Sequence, residues 1–382
     1  MLKICIVTRK MVLGGVERTL LSFLAALKEV RDDIHIDLCL QQEGGDLYDL
    51  IPDWVCIRRM YSVTKDQALY HPLQALRKLM ICARLRIAHK PYAVQCWISS
   101  AIYSPLPEEY DIAISYHAPN TVPVFFVIDK IRAPQKILWL HGTMEENDGK
   151  NQVLFHYHEK FDQVVCVSKT VYDSFIKLHP AMAERTLVRY NLIDDNIIRH
   201  MAREGKKFLK ERFPIILTIG RLSYQKGLDL AVEACARIVQ EGYKFKWYVC
   251  GEGDQRINLE EKIKAKCLED VFILLGNQLN PYGYLATCDL YVQPSRFEGY
   301  CTATVEAKVL GKPVITTEVS GAREQFGENE TGWIVPISST ALAKQISWCL
   351  DHMEEAEKIG AKQIWEGLPL EQHFGFLWEN LQ

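Results

Sequence analysis

Pro214-Ile-Ile-Leu-Thr-Ile-Gly-Arg-Leu-Ser-Tyr-Gln-Lys-Gly227 is the stretch on which the fold turns. Residues Pro214 to Ile219 are an apolar run, as expected of a strand buried on both faces of a parallel sheet. The run stops at Gly220. Arg221 and Lys226 follow, five positions apart, on a loop closed by Gly227, and a helix is expected near Leu228 to Gln240. Strand, glycine-bounded loop and helix in that order are the unit of an α/β fold.

The unit repeats in both directions. Downstream, strands are expected at Phe245 to Cys250, Val271 to Leu275, Leu290 to Gln293 and Pro313 to Thr316, with helices at Asp254 to Cys267 and Thr302 to Leu310. Upstream, strands fit Lys3 to Val7, Ile34 to Leu40, Asp111 to Ser115, Lys136 to Leu140, Val164 to Val167 and Leu187 to Tyr190, with a helix at Val16 to Leu27. The polar stretch Asp194 to Arg212 interrupts the alternation and reads as a linker between two doubly wound parallel sheets. Two such sheets predict a ligand cleft at the carboxyl ends of their strands.

Composition bounds the function. A chain of 382 residues suits two ordinary domains, and 48% hydrophobic with 24% charged residues marks a cored globular protein. A net charge of −3 offers no global field for nucleic acid. The opening MLKICIVTRK lacks the long apolar core and cleavage site of a signal peptide, and no stretch approaches the ~20 apolar residues of a membrane span, so the expected location is cytoplasmic. The twelve cysteines show no C-x-x-C spacing and read as reduced, small hydrophobes in strands and helices, Cys5, Cys39, Cys166 and Cys250 among them.

Two segments of the second half carry candidate chemistry. Arg221 and Lys226 at a strand end suit a diphosphate, the Arg as a planar fork and the Lys as a point charge; the alternative is a solvated surface loop. In Pro294-Ser-Arg-Phe-Glu-Gly299, continuing through Tyr300, Cys301 and Thr302 to Glu306, one glutamate precedes a helix and one lies in it. Free N–H groups at that helix's start, near Thr302, suit phosphate, and Glu306 suits ribose hydroxyls, while Glu298 would face a sugar. The plainer alternative is a capping glutamate and an ordinary helical one.

The order of parts decides between these readings. GRLSYQKG (220–227), GEGDQR (251–256), VFILLGN (271–277), CDLYVQPSRFEGY (288–300), EAKVLGKPVITTEVSGARE (306–324) and TGWIVP (331–336) together resemble the retaining glycosyltransferases of family 4, of GT-B fold. The resemblance implies two facing Rossmann-like domains, an acceptor-binding one over 1–195 joined by a C-terminal helix at 367–382, and a nucleotide-sugar-binding one over 196–366. It implies that Arg221 and Lys226 neutralise the donor pyrophosphate, that Glu306 holds the ribose and that Glu298 contacts the donor sugar. Asn277, Tyr300, Cys301 and Thr302 fall beside the donor by the same alignment of motifs. Family members often carry Gly-Phe-Gly or Gly-Leu-Pro after this glutamate, whereas this chain has Gly299-Tyr300-Cys301, which leaves sugar identity open. Cys301 has no histidine base beside it in sequence to make it a nucleophile.

In the first half, Gly14-Gly15-Val16-Glu17-Arg18 resembles the family's GG-x-E-R entry beside the donor phosphate, although a glycine pair is by itself just a turn. His141, in Trp139-Leu140-His141-Gly142, resembles the histidine at the cleft floor, the alternative being a structural histidine. The match is weakest between Leu47 and Tyr110. There, residues 58–90 hold eight Lys or Arg and one acid, Asp66, with Leu73, Leu76, Met80, Ala83 and Ile87 at helical spacing. Such a helix either packs on the core with solvated cations or lies on an anionic membrane surface. The resemblance implies transfer from a nucleotide-sugar donor, UDP-linked, to a glycan or lipid-linked hydroxyl in cell-envelope polysaccharide or glycolipid synthesis, with retention and no cofactor. The absence of a D-x-D motif at a strand end predicts metal independence. The rivals are a nucleotide-sugar epimerase of the same architecture and a non-catalytic partner retaining the fold. A dehydrogenase is poorly supported, since no G-x-G-x-x-G follows the first strand.

Overall fold

A computed structural model describes residues 1–60, 76, 79–80, 91–144, 152–209, 212–327, 331–362 and 369–378. The chain divides into two compact units. One comprises Met1–Val12, Val16–Tyr190 and Leu368–Gln382, the other Leu13–Gly15 and Asn191–Gly367.

The first unit is a seven-stranded sheet of order β3-β2-β1-β4-β5-β6-β7, every adjacent pair parallel. Its strands are β1 (Leu2–Thr8), β2 (Ile34–Leu40), β3 (Cys56–Arg59), β4 (Ile112–Ala118), β5 (Gln135–Leu140), β6 (Gln163–Cys166) and β7 (Thr186–Val188). Its helices are α1 (Gly15–Val30), α2 (Tyr92–Ser100), α3 (Val122–Lys130), α4 (Gln152–His158) and α5 (Lys169–Leu178). The edge strand β3 was not expected from the sequence. It is mostly exposed, so it lacks the apolar run that betrays an inner strand. Phe23 of α1 stacks edge-on against Trp139 of β5 at 5.1 Å, and equally against Phe374 at 5.1 Å. Phe374 belongs to α14 (Leu370–Phe374), whose His373 carbonyl accepts from Arg189 Nε at 3.2 Å, so the end of the chain completes the first unit's core.

The second unit is a six-stranded parallel sheet of order β10-β9-β8-β11-β12-β13: β8 (Ile215–Ile219), β9 (Lys246–Cys250), β10 (Phe272–Gly276), β11 (Leu290–Gln293), β12 (Val314–Thr317) and β13 (Trp333–Val335). Its helices are α6 (Asp195–Glu204), α7 (Leu228–Gln240), α8 (Arg256–Ala265), α9 (Tyr282–Thr287), α10 (Thr302–Val309), α11 (Ala322–Phe326), α12 (Ser339–Asp351) and α13 (Met353–Ala361). The apolar run in β8 has a direct cause. Ile216 packs in the cluster with Trp247, Leu228 and Leu342, while Ile215 and Leu217 pack in the opposite cluster with Tyr282 and Ala307. A strand covered on both faces has no polar side to show.

One expectation needs correcting. The stretch read as a linker from Asp194 contains helix α6, an integral part of the second unit. Asp194 caps it, its side chain accepting from Ile197 N–H at 2.9 Å, and Ile198 and Ala202 are buried in the core cluster shared with α9 and α10. Charged residues fill the outer faces of this helix, and their density masked the apolar stripe in the sequence. Of the basic segment 58–90, nearly all lies outside the described residues; Leu76, Leu79 and Met80 are exposed. Two of its cations are taken up locally, Arg58 by Asp37 and Glu108, Arg59 by Glu43.

The first unit buries histidines that folding keeps neutral. Burial pushes His158 down to about 3, against the pull of the Pro119 carbonyl, which its ring meets at 3.0 Å. Burial and the neighbouring Arg189 push His373 down to about 4. Both groups bind protons more readily in the unfolded chain, whose ordinary value is 6.5. Their contribution is therefore intact above that pH and is lost as pH falls toward 4, at about 1.4 kcal/mol per pH unit for each. Thermal unfolding between pH 7 and 4.5 is expected to show the melting temperature falling steadily below pH 6.5. His158→Gln is expected to make that decline shallower, and an unchanged slope would rule His158 out as a contributor.

Candidate active site

The chain leaves β8 toward β9 and β10, then returns to lay β11 on the other side of β8. That reversal is a topological switch point, where the loops following two adjacent parallel strands part and leave a crevice. The loops here are 220–227, after β8, and 294–301, after β11.

The two loops are tied together by side chains. The Arg296 guanidinium makes a two-pronged pair with Asp229 at 2.7 Å on each arm, donates to the Tyr224 carbonyl at 3.0 Å and lies 4.2 Å over the Tyr224 ring. Arg296 N–H donates to the Gln225 carbonyl at 2.7 Å, and the Gln225 amide donates to the Phe297 carbonyl at 3.0 Å. Such a planar, two-pronged contact fixes geometry as well as energy. Gly227 makes the closest approach: its φ is +64°, and a Cβ there would fall 2.0 Å from the Pro294 carbonyl oxygen.

At the centre, Lys226 Nζ lies 2.7 Å from Glu298 Oε1, and Ser295 Oγ donates to the same oxygen at 2.6 Å. The pair is largely buried, with side-chain exposures of 19% and 7%. Burial works against the charged ammonium, but the Glu298 carboxylate outweighs it and holds Lys226 above its ordinary value; the nearby Arg221 opposes this weakly. Cys301 is drawn into the same field. Burial first, then the charge of Glu298, push its thiol up to about 11, so it remains protonated at neutral pH. A thiol in that state is a poor nucleophile.

Glu306 is buried in the second turn of α10 and accepts from Tyr282 OH at 3.2 Å. The Tyr291 side chain at β11 is fully buried, and burial first, with the Glu306 and Glu298 carboxylates adding to it, pushes its hydroxyl well above the ordinary value. Cys301 stands at the N-cap of α10 and makes no side-chain cap hydrogen bond, and Thr302 opens the helix. The first N–H groups of α10 therefore point beyond the helix with the positive end of its dipole.

The remaining expected residues are scattered. Arg221 is exposed and, among the described residues, joins no ion pair. Tyr300 is buried beside Gly321, and Asn277 is exposed just after β10. Gly14 precedes α1 and Gly15 begins it, both grouped with the second unit. His141 follows β5 in the first unit. Burial and, less strongly, His117 push it down to about 3, despite its bond to the Tyr116 backbone. Its Nε2 is buried and has no hydrogen-bond partner among the described residues.

Sequence reading missed Ser295, Gln293, Arg296 and Asp229. The signal was present in part: polar residues at alternate positions, Gln293 and Ser295, end an otherwise apolar strand. Among the described residues one group, His35, Asp37 and Cys56, brings three metal-ligating atoms within 4.8 Å. Asp37 there already accepts from Arg58 at 3.0 Å and Tyr110 at 2.7 Å, the arrangement of a buried ion pair.

Residues 202–364 match the family described as Glycosyl transferases group 1. The second unit carries a group 1 glycosyl transferase domain. Its loops 220–227 and 294–301 both fall inside the matched segment. The chain is 32% identical over 183 residues to the Campylobacter jejuni N-acetylgalactosamine-N,N'-diacetylbacillosaminyl-diphospho-undecaprenol 4-alpha-N-acetylgalactosaminyltransferase, which covers 48% of each chain. It is 36% identical over 153 residues to the amylovoran biosynthesis glycosyltransferase AmsK of Erwinia amylovora, covering 36% of this chain and 38% of that one. The matches thus span about half of the first relative's length and less of the second's. Over full length, Anabaena HepE in complex with UDP and glucose superposes with a TM-score of 0.72 at 20% identity, covering 100% of both chains. A mutant of S. aureus TarM, solved with Fondaparinux, alpha-GlcNAc-glycerol and UDP, gives 0.71 at 16% identity, covering 100% of this chain and 99% of that one. The two parallel-sheet units have the GT-B fold.

The close approach at Gly227 makes a quantitative test of how the group 1 domain's loops are held. Gly311, with φ +67°, has nothing within 4 Å of an added Cβ. Gly311→Ala is expected to cost only the left-handed backbone penalty, ~1–2 kcal/mol. Gly227→Ala adds a clash with backbone and is expected to cost clearly more in denaturant unfolding; equal losses would mean the two loops are not locked.

Proposed function

We propose that the chain is a retaining glycosyltransferase that moves a sugar from a nucleotide diphosphate, UDP-linked, to a hydroxyl of a glycan or lipid-linked acceptor. The observation that carries this reading is the buried Lys226–Glu298 pair at the switch point, beside the uncapped start of α10 and the buried Glu306. Departure of a nucleoside diphosphate builds negative charge on its outer phosphate. Lys226, Arg221 and the N–H groups near Thr302 supply positive charge for that place, and donors of this kind contribute about 3–4 kcal/mol each. Glu306 accepts from the ribose hydroxyls, Glu298 accepts from sugar hydroxyls, and Tyr300 and Cys301 line the sugar's side. Asn277, Gly14 and Gly15 complete the donor set. The neutral His141 belongs to the first unit, which takes the acceptor.

Retention and metal independence follow from the same reading. Front-face attack, with the leaving phosphate as base, needs no carboxylate nucleophile, and the site's own cations take the place of a metal. A UDP donor is supported by the likeness to HepE solved with UDP and glucose, and a lipid-linked acceptor in polysaccharide or glycolipid synthesis by the name of the C. jejuni relative. Among the described residues no helix is long and apolar enough to cross a membrane. Peripheral contact through 58–90 would bring the chain to a lipid acceptor, and reversal of the charges at Arg77, Lys78, Arg84 and Arg86 is expected to abolish sedimentation with anionic vesicles.

The decisive assay is release of UDP from a panel of UDP-sugars with and without lipid-linked acceptors. Lys226→Ala and Arg221→Ala are each expected to lower turnover at least a hundredfold (about 2.7 kcal/mol). Near-normal rates would remove these residues from the reaction. Turnover should survive excess chelator, and its loss would show that a metal is required. Epimerised donor without nucleotide release would point to the rival chemistry instead.

A further inference from the structure

A buried chain of hydrogen bonds runs along one face of β11 and ends on Glu298. Tyr291 OH lies 2.6 Å from Gln293 Oε1, Gln293 Nε2 lies 2.8 Å from Ser295 Oγ, and Ser295 Oγ lies 2.6 Å from Glu298 Oε1. Tyr291, Gln293 and Ser295 are all fully buried and occupy alternate positions, so a strand's two-residue period puts them on one face. The Tyr291 hydroxyl also meets the Ile219 carbonyl at 3.4 Å, but its one proton goes to the much nearer Gln293 carbonyl, and the other directions follow. A carboxylate only accepts, so the single Ser295 proton goes to Glu298. Ser295 Oγ then accepts from the Gln293 amide N–H, the Gln293 carbonyl accepts from Tyr291, and the Tyr291 oxygen accepts from Ile219 N–H at 3.4 Å. No member is left unsatisfied, and such a chain in a dry interior is stiff.

The chain and Lys226 converge on the same carboxylate oxygen. Resting on the glycosyltransferase reading, we infer that Ser295, backed by Gln293 and Tyr291, is a positioning residue that saturates Glu298 Oε1 and so dedicates Oε2 to the hydroxyls of the donor sugar. Lys226 alone cannot do this. An ammonium is a point charge with no preferred direction, and it swings toward a departing diphosphate as negative charge grows there. The Ser295 hydroxyl sits on a buried strand end and stays. Sugar orientation therefore survives the moment when Lys226 turns to the leaving group.

The test uses the full chain, UDP alone and the UDP-sugar that turns over fastest. Ser295→Ala is expected to lower kcat at least tenfold while UDP affinity stays within about twofold, because the nucleotide does not touch Glu298. In a Glu298→Gln background the same substitution is expected to lower kcat less than twofold further. Ser295→Thr, which keeps the hydroxyl, should restore most of the rate, and Gln293→Leu should give a smaller loss of the same kind, with UDP affinity kept. A tenfold loss that persists in the Glu298→Gln background, or a matching loss of UDP affinity, would reveal a merely structural role and overturn the proposal. The crystal structure of unliganded Ser295→Ala, or of Gln293→Leu should the first fail to fold, decides the geometry apart from activity. Glu298 is expected to leave its position beside Lys226, and a carboxylate that stays in place overturns the inference. A wild-type chain that transfers sugar from no nucleotide donor would instead refute the functional reading.

Discussion

The contact on which the proposed chemistry of the second unit depends is the one between Lys226 and Glu298. Taking two opposite charges out of water costs several kcal/mol per ion, and their attraction repays it only with good geometry and further hydrogen bonds. Both conditions are met. The pair is 2.7 Å apart, and Glu298 receives a second donor from Ser295. The pair also bridges the ends of β8 and β11, two strands the topology makes neighbours although 72 positions separate the residues in sequence. A structural ion pair of equal worth would be satisfied by any buried location. This one lies where the fold opens a crevice and where a helix begins without a cap.

Much of this was legible in the chain. The unbroken apolar run of Pro214 to Ile219 announced a strand buried on both faces, and the two core clusters on either side of β8 are its cause. Leu228–Gln240 and Leu290–Gln293 fall at their expected limits, because glycine, proline and polar residues punctuate them sharply. What failed was the reading of charge. Asp194 to Glu204 looked like a linker since Asp, Arg, His and Glu dominate it, yet Ile198 and Ala202 suffice to bury one stripe of a short helix. The exposed strand β3 failed for the opposite reason: an edge strand needs no apolar run at all.

The site was legible as a set of residue types and illegible as a set of partners. Sequence order marks Arg221, Lys226, Glu298 and Glu306 as charged groups at strand and helix ends. It does not say that Lys226 and Glu298 hold each other, or that Arg296 binds Asp229 and Tyr224 to lock the loops. Those facts depend on loop paths that only the packed structure sets. His141 illustrates the same limit, since a histidine after a strand is ordinary until its environment is seen to keep it neutral with one nitrogen free.

The division of labour between the two cations follows from their surroundings. Arg221 is exposed and joins no ion pair among the described residues, so an incoming diphosphate can recruit it without breaking anything. Lys226 already serves Glu298, and moving it to phosphate exposes a buried carboxylate to the loss of its counter-charge. In the proposed reaction that loss is useful only late, when negative charge on the leaving phosphate has grown enough to compete with Glu298. Lys226 would then favour the transition state over the bound donor, which is the condition for raising kcat rather than merely tightening binding. Arg221, which has no such partner to give up, strengthens its grip as the same charge grows and so serves turnover as well as capture.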